Sequence, residues 1–274
     1  VVTVRQKNLS NLKKQDDFGW EQDQIFFYFG DHFTDRKEKI MNRKKITVIA
    51  IAITVLFTAV GTVFADSGTA MTAEAQAAVT PSKAIGMLRQ GNARFIGGST
   101  VKRDLLAQVS QTSKGQYPFA AVVSCLDSRV PPEFVFDQGI GDLFVARVAG
   151  NFVNDDILGS LEYAAKVAGA KLILIMGHTE CGAVKGACDG AQLGLLTAAL
   201  ANINPAVEAV KGDYTPRDSK NAKFVQAVTE MNVRLNMQKL RERSLVLREM
   251  LDKGEIEMVG AIYDVSNGRV AFWK

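Results

Sequence analysis

Histidine is close to absent from this chain: 274 residues hold two, His32 and His178. Cysteine numbers three, Cys125, Cys181 and Cys188, and an odd thiol is a liability in an oxidising compartment. No charge excess lies where a folded body would be. Of the 33 Lys+Arg and 29 Asp+Glu, 10 and 7 fall in residues 1–65, so the remainder carries 23 against 22. Without a basic stripe, nucleic acid is not a partner. No internal repeat is found, and two glycine fingerprints are incomplete. GHTECGAV has Ala183 where a phosphate-binding loop needs Lys, and GIGDLF (139–144) has only two glycines of a dinucleotide motif and follows no strand. What is present, 47% hydrophobic and 23% charged residues, is ordinary globular composition.

From Met41 the chain reads MNRKKITVIAIAITVLFTAVGTVFADS: three cations, an apolar stretch from Ile46, then small residues before a polar turn. This is the layout of a secretory signal over 41–65, with cleavage after Ala65 or after Ala77. An uncleaved anchor is the competing reading, since residues 46–65 are about the length that spans a bilayer. The Val, Thr and Ala content favours a cleaved signal. Residues 1–40 then have no place as export machinery, because a signal's charged end belongs at the N-terminus, and they are expected to be a non-native upstream extension. The expected location is the periplasm, or else a membrane-anchored position facing outward; a membrane enters only through the signal or an uncleaved anchor.

The rest divides into a linker (66–79) and one domain (80–274). Thr80 caps a helix running through Ala84, Ile85, Leu88 and Phe95 to Gly97-Gly98. Apolar strands are expected at 119–125 and 143–149, a helix over 155–170, and then KLILIMGH, a continuous apolar run typical of a strand buried on both faces. Residues 183–252 read as mostly helical with a break at Asn204-Pro205, and Asn267-Gly268 sits between two alternating runs as a β-hairpin turn. The fold class is therefore α/β: a mainly parallel sheet of four to five strands flanked by helices, with an N-terminal helical arm and a C-terminal helical region plus β-hairpin.

Two strand ends carry the chemistry. AVVSCLDSRV places Cys125, Asp127 and Arg129 at alternate positions past the first strand, and GHTECG places His178 and Cys181 past another. Side chains at i and i+2 share a side, and in parallel sheets such groups gather at the carboxyl ends of strands. Two thiolates and an imidazole suit zinc, one ion per chain. Asp127 could fill the fourth position and close the site. Arg129 can instead fork onto that carboxylate and hold it off, leaving the position to water, as in a catalytic zinc site.

C-x-D-x-R followed by H-x-x-C resembles the β-class carbonic anhydrases. The likeness runs through CLDSRVPPEFVFDQGIGDLFVARVAGN and ILGSLEYAAKVAGAKLILIMGHTECGAVKGA and covers most of 80–274, least distinctively over 194–245. It implies zinc-dependent hydration of carbon dioxide to bicarbonate and a proton by zinc-bound hydroxide. It also implies a homodimer or dimer of dimers, with the N-terminal helix wrapped over a partner. Cys125, His178 and Cys181 match the ligands, and Asp127 and Arg129 match the orienting dyad. Gln116, Phe144 and Tyr163 match substrate-pocket positions of plant-like members, and Gly182 opens a helix whose amides favour an anion. Ala149 stands where that group has a larger aliphatic residue. Val122 stands where bicarbonate-regulated members have Trp.

Two alternatives remain open: hydrolysis of carbonyl sulfide or carbon disulfide on the same scaffold, and a non-catalytic zinc-binding protein closed by Asp127. Cys188 reads as a small buried hydrophobe. With His178 on zinc and His32 removed, no imidazole is left to carry protons, so turnover should depend on external buffer.

Overall fold

The computed structural model describes residues 68–273. The upstream extension, the signal or anchor segment, His32 and the cleavage point after Ala65 lie outside the described residues. Among the described residues no helix is long and apolar enough to cross a membrane.

In chain order the elements are α1 (Ala73–Ala77), α2 (Pro81–Ile96), α3 (Leu105–Thr112), β1 (Ala120–Ser124), α4 (Pro132–Val135), β2 (Leu143–Arg147), α5 (Asp155–Glu162), β3 (Leu172–His178), α6 (Gly182–Cys188), α7 (Gly194–Ala201), α8 (Asn204–Ala209), α9 (Ala222–Arg243), α10 (Leu245–Asp252), β4 (Glu257–Tyr263) and β5 (Val270–Trp273). Helix α5 continues into a π-helical turn, Tyr163–Val167. The five strands form one sheet in the order β2-β1-β3-β4-β5. All pairs are parallel except β4-β5, the expected antiparallel hairpin, whose turn includes Gly268 at φ 79°.

The period-2 alternation of the central strands sorts their side chains into two cores. Ala121, Val123, Ile173 and Ile175 face one way and pack on Leu158 and Leu161 of α5, Val233 and Leu240 of α9, and Leu247 of α10. Ala120, Val122, Leu172, Leu174 and Met176 face the other way and meet Ala84 and Leu88 of α2 and Val135 of α4. Every residue of β1 and β3 is buried, which is why both strands read as unbroken apolar runs. Strand β2 is the exception. It lies at the sheet edge with its residues half-buried or exposed.

Helix α2 begins as its sequence dictates: the Thr80 hydroxyl accepts from the Lys83 N–H at 3.2 Å, Pro81 occupies the first turn, and Gly97 ends the helix. The segment read as a linker is more than that. It carries α1, and Gln76 is buried, with its amide donating to the carbonyls of Pro118 (2.8 Å) and Ala168 (2.7 Å). One amide there satisfies two carbonyls at the amino end of the sheet, a tertiary function that local composition does not encode.

Candidate metal centre

Strands β1 and β3 are parallel neighbours, so the loops leaving them emerge at the same end of the sheet. Cys125 is the first residue past β1, His178 is the last of β3, and Cys181 caps α6. All three are buried, and their ligand atoms lie within 4.8 Å of one another. The two sulfurs are 3.9 Å apart, close to the ~3.8 Å that two thiolates about 2.3 Å from one tetrahedral zinc would keep. His178 places Nδ1 2.8 Å from the Thr179 carbonyl, which can only accept, so Nδ1 carries the proton. That leaves the Nε2 lone pair free, and Nε2 is a buried polar atom with no hydrogen-bond partner. A divalent ion would satisfy it, with the backbone carbonyl fixing the ring as is usual for metal-bound histidine.

The electrostatics of the sulfurs agree. The Cys125 thiol is pushed down, chiefly by its hydrogen bond with Cys181. Cys181 is pushed upward by that same bond and by burial. Left to themselves the pair keeps one proton between them, and a cation is what would let both ionise. Cys188 stands apart, half-buried, and burial pushes its thiol up to about 11.

Asp127 lies beside this triangle, with Oδ2 3.9 Å from His178 Nε2. Arg129 grips its carboxylate at both oxygens, Nε to Oδ1 at 2.9 Å and Nη2 to Oδ2 at 2.7 Å, and the Arg129 N–H also donates to Oδ1 at 2.9 Å. The guanidinium is the main reason the Asp127 carboxyl is held down to about 2. Arg129 itself is braced by Nη2 on the Glu180 carbonyl at 3.2 Å. Glu180, between the two downstream ligands, has φ 58°, which turns the chain so that His178 and Cys181 face the same point. Its side chain pairs with Lys185.

Several contributors to the site went unread in the sequence. Arg147, at the end of β2, donates from Nε to the Cys125 carbonyl (3.0 Å) and from Nη2 to the Asp127 carbonyl (2.6 Å), clamping the C-x-D turn. The Gly150 N–H donates to Cys125 Sγ at 3.3 Å. The Thr179 hydroxyl accepts from the Val265 N–H at 3.0 Å and ties the histidine loop to the end of β4. An arginine closing a parallel strand was the one readable sign.

The expected pocket residues are elsewhere in the chain. Phe144 and Tyr163 meet edge to face, with ring centroids 6.1 Å apart, and line a groove of about 720 Å³ beside β2. Phe144 registers with Ala121, four residues before Cys125, which at about 3.3 Å per residue puts it roughly 13 Å along the strand from the metal ligands. Gln116 is exposed and precedes β1, at the opposite end of the sheet. The structure does not bring these three side chains to the metal centre of their own chain. Gly182 does lie there, beside Cys181, and a Cβ on it would meet nothing within 4 Å.

A family model described as carbonic anhydrase matches residues 120–270. A carbonic anhydrase of Mycolicibacterium smegmatis is 33% identical over 191 residues, covering 69% of this chain and 92% of that protein. Carbonic anhydrase 2 of Mycobacterium tuberculosis is 33% identical over 190 residues, covering 69% of this chain and 91% of the other. Among solved structures, the β-carbonic anhydrase CcaA superposes with a TM-score of 0.52 at 25% identity, over 69% of this chain and 95% of its own. A Coccomyxa β-carbonic anhydrase in complex with acetazolamide gives 0.52 at 25% identity, over 59% and 74%.

Proposed function

The chain belongs to the carbonic anhydrase family, and from that premise we propose that its reaction runs at the Cys125, His178 and Cys181 centre with Asp127 and Arg129 as the orienting pair. The reaction is the reversible hydration of carbon dioxide to bicarbonate and a proton. Zinc, when bound by the two thiolates and His178 Nε2, supplies the Lewis acidity that lowers the pKa of water to about 7. The chain's own groups do the rest. Asp127 stays ionised through the neutral range and presents Oδ2 toward the centre as a hydrogen-bond acceptor, which orients the attacking water. Arg129 occupies both carboxylate oxygens and so keeps Asp127 from closing the site. Arg147 holds the turn that carries both Cys125 and Asp127.

The observation that carries this reading is the orphaned, buried Nε2 of His178 standing with two sulfurs 3.9 Å apart. Stopped-flow hydration of carbon dioxide by the chain from Asp66 onward, with zinc quantified in the same sample, tests it. One zinc per chain with activity rising through about pH 7 is expected. Full zinc without hydration at any pH would defeat it.

The assembly is a homodimer joined along β2, and the pocket of one copy is completed by Gln116, Phe144 and Tyr163 of the other. Support comes from the half-buried edge strand and from the exposure of Tyr163 (52%) and Val167 (72%) on the π-helical turn behind it. The chain is exported, with cleavage after Ala65. Cutting after Ala77 would remove Gln76 and strand two carbonyls.

A further inference from the structure

Helix α9 carries two buried asparagines one turn apart, Asn232 and Asn236, to which the hydration mechanism gives no task. Buried amides cost stability unless fully bonded. These two spend their bonds on one short loop. Asn232 Nδ2 donates to the Gly150 carbonyl at 2.8 Å, and Asn236 Oδ1 accepts from the Val153 N–H at 2.7 Å. Asn236 Nδ2 also reaches back to Asn232 Oδ1 at 3.0 Å, and this fixes which end of the Asn232 amide faces Gly150. The same loop places the Gly150 N–H 3.3 Å from the sulfur of Cys125.

Glycine is the least constrained residue in the chain, and Gly150 sits at φ 83°, where a Cβ would fall 2.4 Å from Ile203 Cδ1. Its N–H lies in the peptide shared with Ala149, and what glycine leaves free is rotation about its own two backbone bonds, which holding the next peptide, to Asn151, restricts. That peptide is held at both ends, by Asn232 on its oxygen and by the Val148 carbonyl, which accepts from the Asn151 N–H at 3.0 Å. Asn151 has φ 45° and a fully buried amide with no partner, so the loop keeps this shape at a local cost.

We infer that Asn232 is a positioning residue of the metal centre: through Gly150 it holds a backbone N–H on the Cys125 thiolate and so limits how much charge that sulfur gives to the ion. Hydrogen bonds to ligand atoms tune the electronic character of a metal site. The inference rests on the zinc assignment, and its test separates the two.

Cobalt(II) replaces zinc in wild type, Asn232→Leu and Thr229→Val. Leucine fills the space and keeps water from the adjoining groove of about 350 Å³ out of the vacated place. Thr229 is the control, because it is buried on the same helix and its hydroxyl bonds only within that helix, to the Val225 carbonyl. In Asn232→Leu the sulfur-to-cobalt charge-transfer band should move to longer wavelength, because a sulfur relieved of its N–H gives more charge to the ion. Thr229→Val should leave the band in place, even with a comparable fall in melting temperature. A band in Asn232→Leu at the wild-type position overturns the inference. If that variant does not fold, Asn236→Leu, which frees the Asn232 amide to turn, should show a smaller shift in the same direction, and no shift overturns the inference equally. Wild type without any sulfur-to-cobalt band means the zinc assignment fails, and this inference with it.

Discussion

Asp127 is held by one neighbour more than by any other, and that dependence governs its behaviour. Because the folded carboxyl titrates near 2 while the unfolded one titrates near its ordinary value of 3.8, the pair with Arg129 stabilises the fold above about pH 4, and that contribution is lost as pH falls toward 2. Removing the guanidinium with Arg129→Ala should return the Asp127 carboxyl toward the ordinary range, read by carbon NMR titration of labelled aspartate. The freed carboxylate should then compete for the metal, so hydration should fall by about a hundredfold or more while bound zinc stays at one per chain. Loss of zinc alongside activity would mean that Arg129 supports the ligands themselves. His178 is the only histidine among the described residues, and the site occupies it. Turnover should therefore rise with imidazole concentration, and a rate indifferent to buffer would show that a carboxylate or tyrosine relay carries the proton.

At the scale of elements, α1 is the piece whose value the sequence conceals. Gln76→Ala leaves the buried Pro118 carbonyl and the part-buried Ala168 carbonyl without their donor and should cost roughly 1–3 kcal/mol, measured by urea unfolding. The mature protein should accordingly begin at Asp66. A mature chain beginning at Ala78 would show that the domain does without α1. Strand β3 and the ligand spacing were legible because an unbroken run such as LILIMG has few other folds open to it, and because strand ends expose the residues that come next. Helix α2 was legible from Thr80, from the apolar series Ala84, Ile85, Leu88 and Phe95, and from Gly97-Gly98. The Arg147 clamp and the Asn232 bond were not, because each joins residues that are distant in sequence through backbone carbonyls, which every residue possesses. Phe144 and Tyr163 were legible as pocket residues only by resemblance, and where they lie along the sheet could be known only once strand register was fixed.

For the whole molecule, the separation of Phe144 from the metal ligands along one sheet makes a dimer testable by function as well as by size. Cys125→Ser, which cannot assemble the metal centre, and Phe144→Ala, which spoils the pocket, should each be weak alone. Mixed and reassembled, they should form hybrids in which one intact centre faces one intact pocket, so the mixture should exceed both parents. No gain on mixing would put the pocket residues in the service of their own chain. The 3.9 Å between Cys125 and Cys181 also bears on how long the protein survives in an oxidising setting. Two thiols that close need only dissolved oxygen as oxidant to join, each giving up its hydrogen, whereas the Cys188 thiol, pushed up to about 11, stays largely protonated and slow. Stripping zinc with a chelator in air should leave one titratable thiol per unfolded chain and an enzyme that added zinc revives only after a reductant. The ion would then be a guard as well as a reagent, and the working lifetime of the protein would be set by how often it lets go of metal, long before unfolding becomes the limit.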